Sequence, residues 1–304
     1  MKTFKLTLAI GIAMSIITTS CRNKFDTTKT TDFKVVPSTA HFERGKVLVF
    51  SICAGCHYDR QLKKFIGAPI HDIPGIAGKV YSANLTHSKE HGLTDKYSDA
   101  EIRYLLKTGV ARDGRFLNYM LRPNMADEDI DAIITYLRSN DPPLQAADTT
   151  VGLTHFTPIG KLYMSLAANP VPYRANVKLP SMDDKAAMGY YLVDNLGCFH
   201  CHSKKLTSLN FVHPDQTKGY LAGGIKFKGP NGTEVRASNI TPDKTTGIGN
   251  YSQRDFLRAL KEGVEPNGDK LKPPMPKFTM LKDEEINDIY AYLQTVPPKS
   301  HKIE

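Results

Sequence analysis

The chain has 304 residues and a formal net charge of +9, with 40% hydrophobic residues, 23% charged residues and no tryptophan. This balance is typical of a globular protein and excludes a disordered or fibrous one, and the length favours two domains over one. The positive charge alone selects no partner, and the sequence holds no basic run interleaved with aromatic residues. We therefore expect no binding to nucleic acid.

Residues 1–21 have the features of a lipoprotein-type export signal. Lys2 and Lys5 precede an apolar stretch from Leu6 to Ile17, which is short for a bilayer span. Small polar residues then lead to Cys21, which we predict to be the lipidated first residue of the mature chain. Plain cleavage nearby and a short uncleaved anchor are the alternatives. The sequence therefore predicts an exported protein, tethered by lipid on the periplasmic side of a bacterial membrane.

The other four cysteines form two C-x-x-C pairs, each followed directly by a histidine. They read Cys53-Ala-Gly-Cys56-His57 and Cys198-Phe-His-Cys201-His202. Such spacing suits a shared zinc ion, a redox-active dithiol, a structural disulfide or covalent attachment of haem. Zinc gives no reason for two histidines, and no βαβ pattern supports a dithiol. Haem attachment explains why a histidine follows each pair, because thioethers from the cysteines fix the haem and the adjacent His binds its iron. The motifs therefore predict two covalently attached haem c groups.

The chain carries the same module twice. Asn84-Leu-Thr, Tyr97-Ser98 and Gly109-Val110 recur in order as Asn239-Ile-Thr, Tyr251-Ser252 and Gly263-Val264. In both copies, short apolar helices precede the cysteines, capping-box patterns start at Ser98 and Ser252, and a helix with apolar residues at i, i+3, i+4 and i+7 ends the module. Without a convincing hairpin, the pattern predicts an all-α fold with long loops wrapped around a cofactor.

At this point the sequence resembles class I cytochrome c, twice over. The stretches Asn239-Ile-Thr-Pro-Asp243 and Pro273-Pro-Met-Pro276 are similar to those of the multi-haem cytochrome c subunits of membrane-bound alcohol and gluconate dehydrogenases. Those subunits usually carry three haem modules, whereas this chain has two motifs. The resemblance implies that the first and last helices of each module cross where Gly45 or Gly189 meets Tyr136 or Tyr292. The implied domains are a signal peptide (1–21), a flexible tether (22–40), cytochrome c domain 1 (41–140), a Pro-rich linker (141–182), cytochrome c domain 2 (183–298) and a tail (299–304).

Two strong axial ligands at each iron would close both sites to oxygen and peroxide. His57 and His202 are the predicted proximal ligands. Met275, between prolines, is the predicted sixth ligand of the second haem, and a thioether there raises the reduction potential. For the first haem we favour Met120 and keep Met125 as its competitor. Bis-His ligation is the remaining alternative, and its candidates lie in the long loop: His71, His87 and His91.

The predicted function is electron transfer without chemistry of the protein's own. The donor would be a periplasmic dehydrogenase or a respiratory complex, and the acceptor another cytochrome or an oxidase. The alternative is a dihaem enzyme of the peroxidase type, which needs a displaceable axial ligand and distal acid–base residues. His200, inside the second motif, is expected to face away from iron. Met280 and Leu281 are expected to be packing residues.

Overall fold

The computed structural model describes residues 25–26, 29, 33–70, 73, 75–147, 149, 151–166, 168–228 and 232–303. Its α-helices are α1 (Thr39–Leu48), α2 (Ala54–His57), α3 (Asp99–Thr108), α4 (Asp127–Leu137), α5 (Pro158–Leu166), α6 (Lys185–Asn195), α7 (Cys198–His202), α8 (Gln253–Glu262) and α9 (Asp283–Thr295). The strands are β1 (Gly78–Lys79), β2 (His155–Phe156), β3 (Lys226–Lys228) and β4 (Glu234–Arg236). The predicted lipidation site, Cys21, lies outside the described residues.

The first and last helices of each half cross at a glycine, as the resemblance implied. Helix α1 packs on α4, and α6 packs on α9. A Cβ atom on Gly45 would lie 1.9 Å from the Ala132 carbonyl oxygen, and one on Gly189 would lie 2.0 Å from that of Asp288. Only a residue without a side chain lets the two helix backbones approach so closely.

The middle helices, α3 and α8, begin and end in the same way. Both begin with the predicted capping box, in which Ser98 pairs with Glu101 and Ser252 with Asp255. Both end at a left-handed glycine, Gly109 with φ 74° or Gly263 with φ 71°. These caps fix the direction in which the chain leaves each helix.

Two buried apolar clusters correspond to the two halves. One lies among α1, α3 and α4, and the other among α6, α8 and α9. The division is not complete, because Ala126 of the first half is buried in the cluster of the second half. The halves therefore share part of their apolar surface.

Three features of the fold were not expected from the sequence. Strands β3 and β4 form a short antiparallel hairpin, and β1 of the first half pairs with β2, which lies in the predicted linker. Two- and three-residue strands are too short to produce a visible alternation in the sequence. Part of the predicted flexible tether packs on α3, where the ring of Phe25 meets Tyr104 and that of Phe33 lies 3.7 Å from the Arg103 guanidinium carbon.

The predicted tail is also held against the second half. The backbone N–H of Lys299 donates to Thr241 Oγ1 at 3.1 Å, and that of His301 donates to Thr246 Oγ1 at 3.0 Å. The predicted Pro-rich linker contains helix α5, which extends from Pro158 to Leu166. Across the residues that the structure describes, none of the helices combines the length and apolar character needed to span a bilayer.

Candidate haem-attachment sites

Each C-x-x-C-H motif lies on a short turn of helix directly after the first helix of its half. In the first half, α1 continues through a π-helical turn, Val49–Cys53, into α2. In the second half, Gly197 in the left-handed conformation separates α6 from α7. Residues three apart on a helix lie on the same face, so both thiols of a motif point to one side. That arrangement suits attachment of both thiols to one planar group.

The two motif histidines are oriented by backbone carbonyl groups. Nδ1 of His57 lies 2.8 Å from the carbonyl oxygen of Ala83, and Nδ1 of His202 lies 2.8 Å from that of Ser238. A carbonyl oxygen only accepts, so Nδ1 carries the hydrogen and the lone pair is on Nε2. Burial lowers the pKa of both rings, which favours the neutral form that binds metals. Both rings therefore have the tautomer and orientation that a proximal ligand of iron requires.

The repeated Asn-x-Thr sequence holds these carbonyl groups in place. The Asn84 side-chain oxygen accepts from the N–H and the hydroxyl of Thr86, at 2.8 and 2.7 Å. Asn239 accepts in the same way from Thr241, at 2.9 and 2.8 Å. Each turn directly follows the residue whose carbonyl orients the histidine. The repeat was visible in the sequence, but this role was not.

The loops that carry Met120 and Met275 follow one hydrogen-bonding scheme. After the left-handed glycine of each middle helix, Leu117 N–H donates to Gly109 at 2.7 Å and Leu271 N–H donates to Gly263 at 2.9 Å. The N–H of each methionine then closes a tight turn within its own loop. Met120 packs at the edge of the cluster that Cys53 also borders. Met275 borders the other cluster together with Cys198.

The same scheme separates Met120 from its competitor, Met125. Arg122 N–H donates to the Leu106 carbonyl at 2.6 Å, and Phe278 N–H donates to the Leu260 carbonyl at 2.8 Å. Arg122 and Phe278 are therefore equivalent, and three residues later Met125 is equivalent to Leu281. Both of these side chains are fully buried in the clusters. Met125 is therefore equivalent to a buried leucine, whereas Met120 lies on the loop equivalent to that of Met275.

The loop histidines that the structure describes are engaged elsewhere. Nδ1 of His87 lies 2.9 Å from an oxygen of Asp95, and its Nε2 lies 2.8 Å from the Ser139 carbonyl oxygen. His91 lies beside Glu90, with 3.6 Å between Nε2 and the carboxylate. His71 lies outside the described residues. These contacts give His87 and His91 hydrogen-bonding or ionic roles at the surface.

Three further residues near the second site, His200, Met280 and Leu281, also had sequence-based expectations. His200 is half-buried and lies edge-on to the rings of Phe199 and Phe211, at 4.4 and 5.1 Å between centroids. Leu281 packs in the core as expected. Met280 does not, because 38% of it is exposed, and the expectation for this residue was wrong. Met280 lies within the turn that the Leu281 N–H closes by donating to the Phe278 carbonyl oxygen.

The four cysteines of the motifs form no disulfide bond with one another. Burial raises the pKa of Cys53 and of Cys198 to about 12, so neither is a thiolate at neutral pH. A reactive dithiol depends on a lowered thiol pKa, which these surroundings do not provide. Within the described ranges, moreover, no group of three or more His, Cys, Asp or Glu side chains is arranged to hold a metal ion. Two cysteines and one neutral histidine per motif fit a haem, because the porphyrin supplies the other ligands of its iron.

A hydrogen-bonded contact joins the halves beside the second motif. Asn124, from the Met120 loop, donates from Nδ2 to Asp194 Oδ2 at 2.7 Å. Asp194 lies on α6 just before Cys198, and burial raises its pKa to about 6. Nearby, the hydroxyl of Tyr191 donates to Asp129 at 2.7 Å. The Met loop of the first half therefore lies against the helix that leads into the second motif.

Comparison with known families agrees with this geometry. Residues 42–141, about a third of the chain, match the family model described as Cytochrome c. The matched range contains the first C-x-x-C-H motif and Met120. The second motif lies beyond it.

Three known proteins are similar to part of this chain. The chain is 37% identical over 134 residues to the gluconate 2-dehydrogenase cytochrome c subunit of Pantoea cypripedii, covering 43% of this chain and 28% of the relative. It is 44% identical over 106 residues to the alcohol dehydrogenase (quinone) cytochrome c subunit of Gluconobacter oxydans strain 621H, covering 34% of this chain and 20% of the relative. It is 30% identical over 104 residues to a diheme cytochrome c-type protein of Cereibacter sphaeroides, covering 34% of this chain and 33% of the relative. The chain thus spans a third or less of the length of these relatives.

Proposed function

We propose that this chain is a dihaem c-type cytochrome that transfers electrons in the periplasm. Its two cytochrome c domains would comprise residues 41–140 and 183–298. The first haem would be attached to Cys53 and Cys56, with His57 and Met120 as axial ligands. The second would be attached to Cys198 and Cys201, with His202 and Met275 as axial ligands. When bound, each haem supplies an iron that accepts and releases one electron.

One observation carries this proposal: the arrangement around the motif histidine occurs twice in one chain. In each half a thiol pair on a helical turn, an Nδ1–H bonded to a carbonyl, and a methionine on a loop after a left-handed glycine occur in the same order. Chance does not reproduce a set of hydrogen bonds together with its sequence spacing. This repetition supports a second haem site in the second half, built like the site of the first half.

The protein's own residues keep each site closed and rigid. A histidine held by a backbone carbonyl cannot rotate away from the iron, and a methionine on a hydrogen-bonded loop excludes exogenous ligands. Electron carriers benefit from this rigidity, because little reorganisation accompanies the change in oxidation state. A peroxidase requires the opposite, namely a ligand that leaves.

The partners follow from the relatives. Two of them are named as cytochrome c subunits of gluconate and alcohol dehydrogenases. By analogy, the electron donor is a dehydrogenase or respiratory complex, and the acceptor is a downstream cytochrome or oxidase. Export and a lipid anchor at Cys21 would place the chain beside both, at the periplasmic face of a membrane. The mature chain, without Lys2 and Lys5, would still be basic, and complementary charge would speed its transient encounters with an acidic partner.

Counting haem groups tests the proposal. The full chain, produced in a host that attaches haem c, should show two haem c per polypeptide in a pyridine haemochrome assay. The His57→Ala and His202→Ala variants should each retain one, and His155→Ala, at an exposed histidine, should retain two. A wild-type protein with one haem or none would contradict the dihaem function. Rapid cyanide binding by the oxidised wild type would favour the peroxidase class.

A further inference from the structure

Arg122 is a buried arginine at the contact between the two halves. It is 8% exposed and lies on the loop that carries Met120. Its Nε donates to the carbonyl oxygen of Asn195 at 2.9 Å, and its Nη1 donates to that of Leu121 at 2.7 Å and that of Tyr119 at 3.2 Å. The guanidinium thus joins the Met120 loop to the end of α6, just before the second motif.

The charge of Arg122 faces both motifs. Cys53 and Cys56 of the first motif and Cys201 of the second lie within electrostatic range of the guanidinium. A Cβ atom on Gly197, the residue before Cys198, would lie 3.5 Å from its Nη2. One cation therefore lies beside the attachment points of both proposed haems.

This cation is only partly neutralised by its surroundings. Its hydrogen-bond acceptors are backbone carbonyl groups, and within the described parts of the chain no carboxylate forms an ion pair with it. Asp194 interacts with it through space while accepting its own hydrogen bond from Asn124. A buried charge without an ion pair acts strongly on its neighbours, because little water screens it.

The internal repeat shows that the loop does not need an arginine to fold. The equivalent residue of the second half is Phe278, which makes the same backbone hydrogen bond and is buried to a similar extent. An apolar residue satisfies this position in one copy. The guanidinium of the other copy therefore serves the contact between the halves.

We propose that Arg122 is a positioning residue shared by both haem sites, where it fixes the Met120 loop against the turn before Cys198 and raises the reduction potential of both haems. This inference rests on the proposed dihaem function. Reduction adds an electron to each site, and a nearby cation stabilises the added negative charge. Because the same cation faces both motifs, it moves both potentials in the same direction.

The test is a spectroelectrochemical titration of the haem-loaded full chain. In Arg122→Gln, and in Arg122→Phe, which installs the residue of the second copy, the equilibrium constant for reducing each haem should fall about tenfold, equivalent to about 59 mV for one electron. Arg122→Lys keeps the charge and should shift both constants less than the neutral variants do. Arg115→Gln removes an exposed arginine and should leave both unchanged.

Haem content and the reduction potential of each haem distinguish the possible outcomes. A wild-type chain without two haems would contradict the proposed function itself. In a two-haem protein, unchanged potentials in the neutral variants would overturn only the role of Arg122. A shift confined to the first haem, or equal shifts in the Lys and Gln variants, would also overturn it, because a local disturbance of Met120 explains either result. If both neutral variants lose haem, the Lys variant decides: small shifts at both haems support the proposal, and a shift at the first alone contradicts it.

Discussion

The hydroxyl of Tyr191 donates a hydrogen bond of 2.7 Å to Oδ2 of Asp129, and this bond connects α6 of the second half to α4 of the first. Arg44 donates to both oxygens of the same carboxylate, from Nε to Oδ1 at 2.8 Å and from Nη2 to Oδ2 at 2.9 Å. It also pairs with Glu285 of α9. A buried carboxylate with these donors therefore links the terminal helices of both halves.

Removing the Tyr191 hydroxyl should weaken this link. We expect Tyr191→Phe to lower the free energy of unfolding by about 2 kcal/mol, because a hydrogen bond to a charged, buried acceptor is lost. Denaturation by urea measures the change. Tyr190→Phe is the matched control, because its hydroxyl makes only a long, exposed contact of 3.5 Å with Asp215. Equal effects of the two substitutions would show that the inter-half bond adds no stability.

The crossing of α6 and α9 should not tolerate a side chain at Gly189. Gly189→Ala places a methyl group 2.0 Å from the Asp288 carbonyl oxygen, so the helices must separate. We expect a loss of about 2–3 kcal/mol in unfolding free energy, the usual cost of overpacking a core. Gly75→Ala, where the added atom meets nothing within 4 Å, should have little effect. Thermal unfolding of both variants decides, and a Gly189→Ala protein as stable as wild type would contradict the packing.

Met120 and Met125 should respond differently to the same substitution. Met120→Leu removes the proposed sixth ligand of the first haem, so that haem should lose the far-red band of thioether-ligated ferric iron and bind added imidazole. Met125→Leu installs the residue of the second half, Leu281, and should leave the spectrum intact at a cost below about 1.5 kcal/mol. The opposite pattern would assign the ligand to Met125.

Asp194 should make stability depend on pH. Its folded-state pKa is raised to about 6 by burial, from an ordinary value of 3.8. The folded protein therefore keeps a proton that the unfolded chain releases, and the free energy of unfolding should fall as pH rises from about 4 to about 6. At 1.36 kcal/mol per pH unit, the fall approaches about 3 kcal/mol.

Asp194→Asn should remove this fall, since an amide does not titrate and its oxygen still accepts from Asn124. Midpoints of urea denaturation between pH 4 and pH 7 provide the measurement. Asp183→Asn, at an exposed carboxylate, should keep the wild-type profile. A profile in Asp194→Asn that still falls like that of wild type would show that another group is responsible.

The sequence predicted the helices well, because helices depend on local patterns. The axial-ligand candidates also come from local patterns, and they stay predictions. Capping boxes at Ser98 and Ser252 and the apolar period of α4 and α9 are short-range signals, and so is C-x-x-C-H. The carbonyl groups of Ala83 and Ser238 gave no such signal, since every residue has a backbone carbonyl. The packing of Phe25 and Phe33 was missed because single aromatic residues in a polar segment carry no period. The position of Arg122 depends on how the halves meet, which no local pattern encodes.

The carbonyl contacts of His57 and His202 have a consequence for the loops that they close. The two contacts span 26 and 36 sequence positions, yet both end at 2.8 Å and at the same Asn-x-Thr turn. Lengthening a closed loop by this amount costs only a few tenths of a kcal/mol in entropy. Insertions there leave the imidazole undisturbed. The outer surface over each histidine is thus open to evolutionary change, and two copies of one module can acquire different docking partners while the carbonyl contacts of their histidines stay the same.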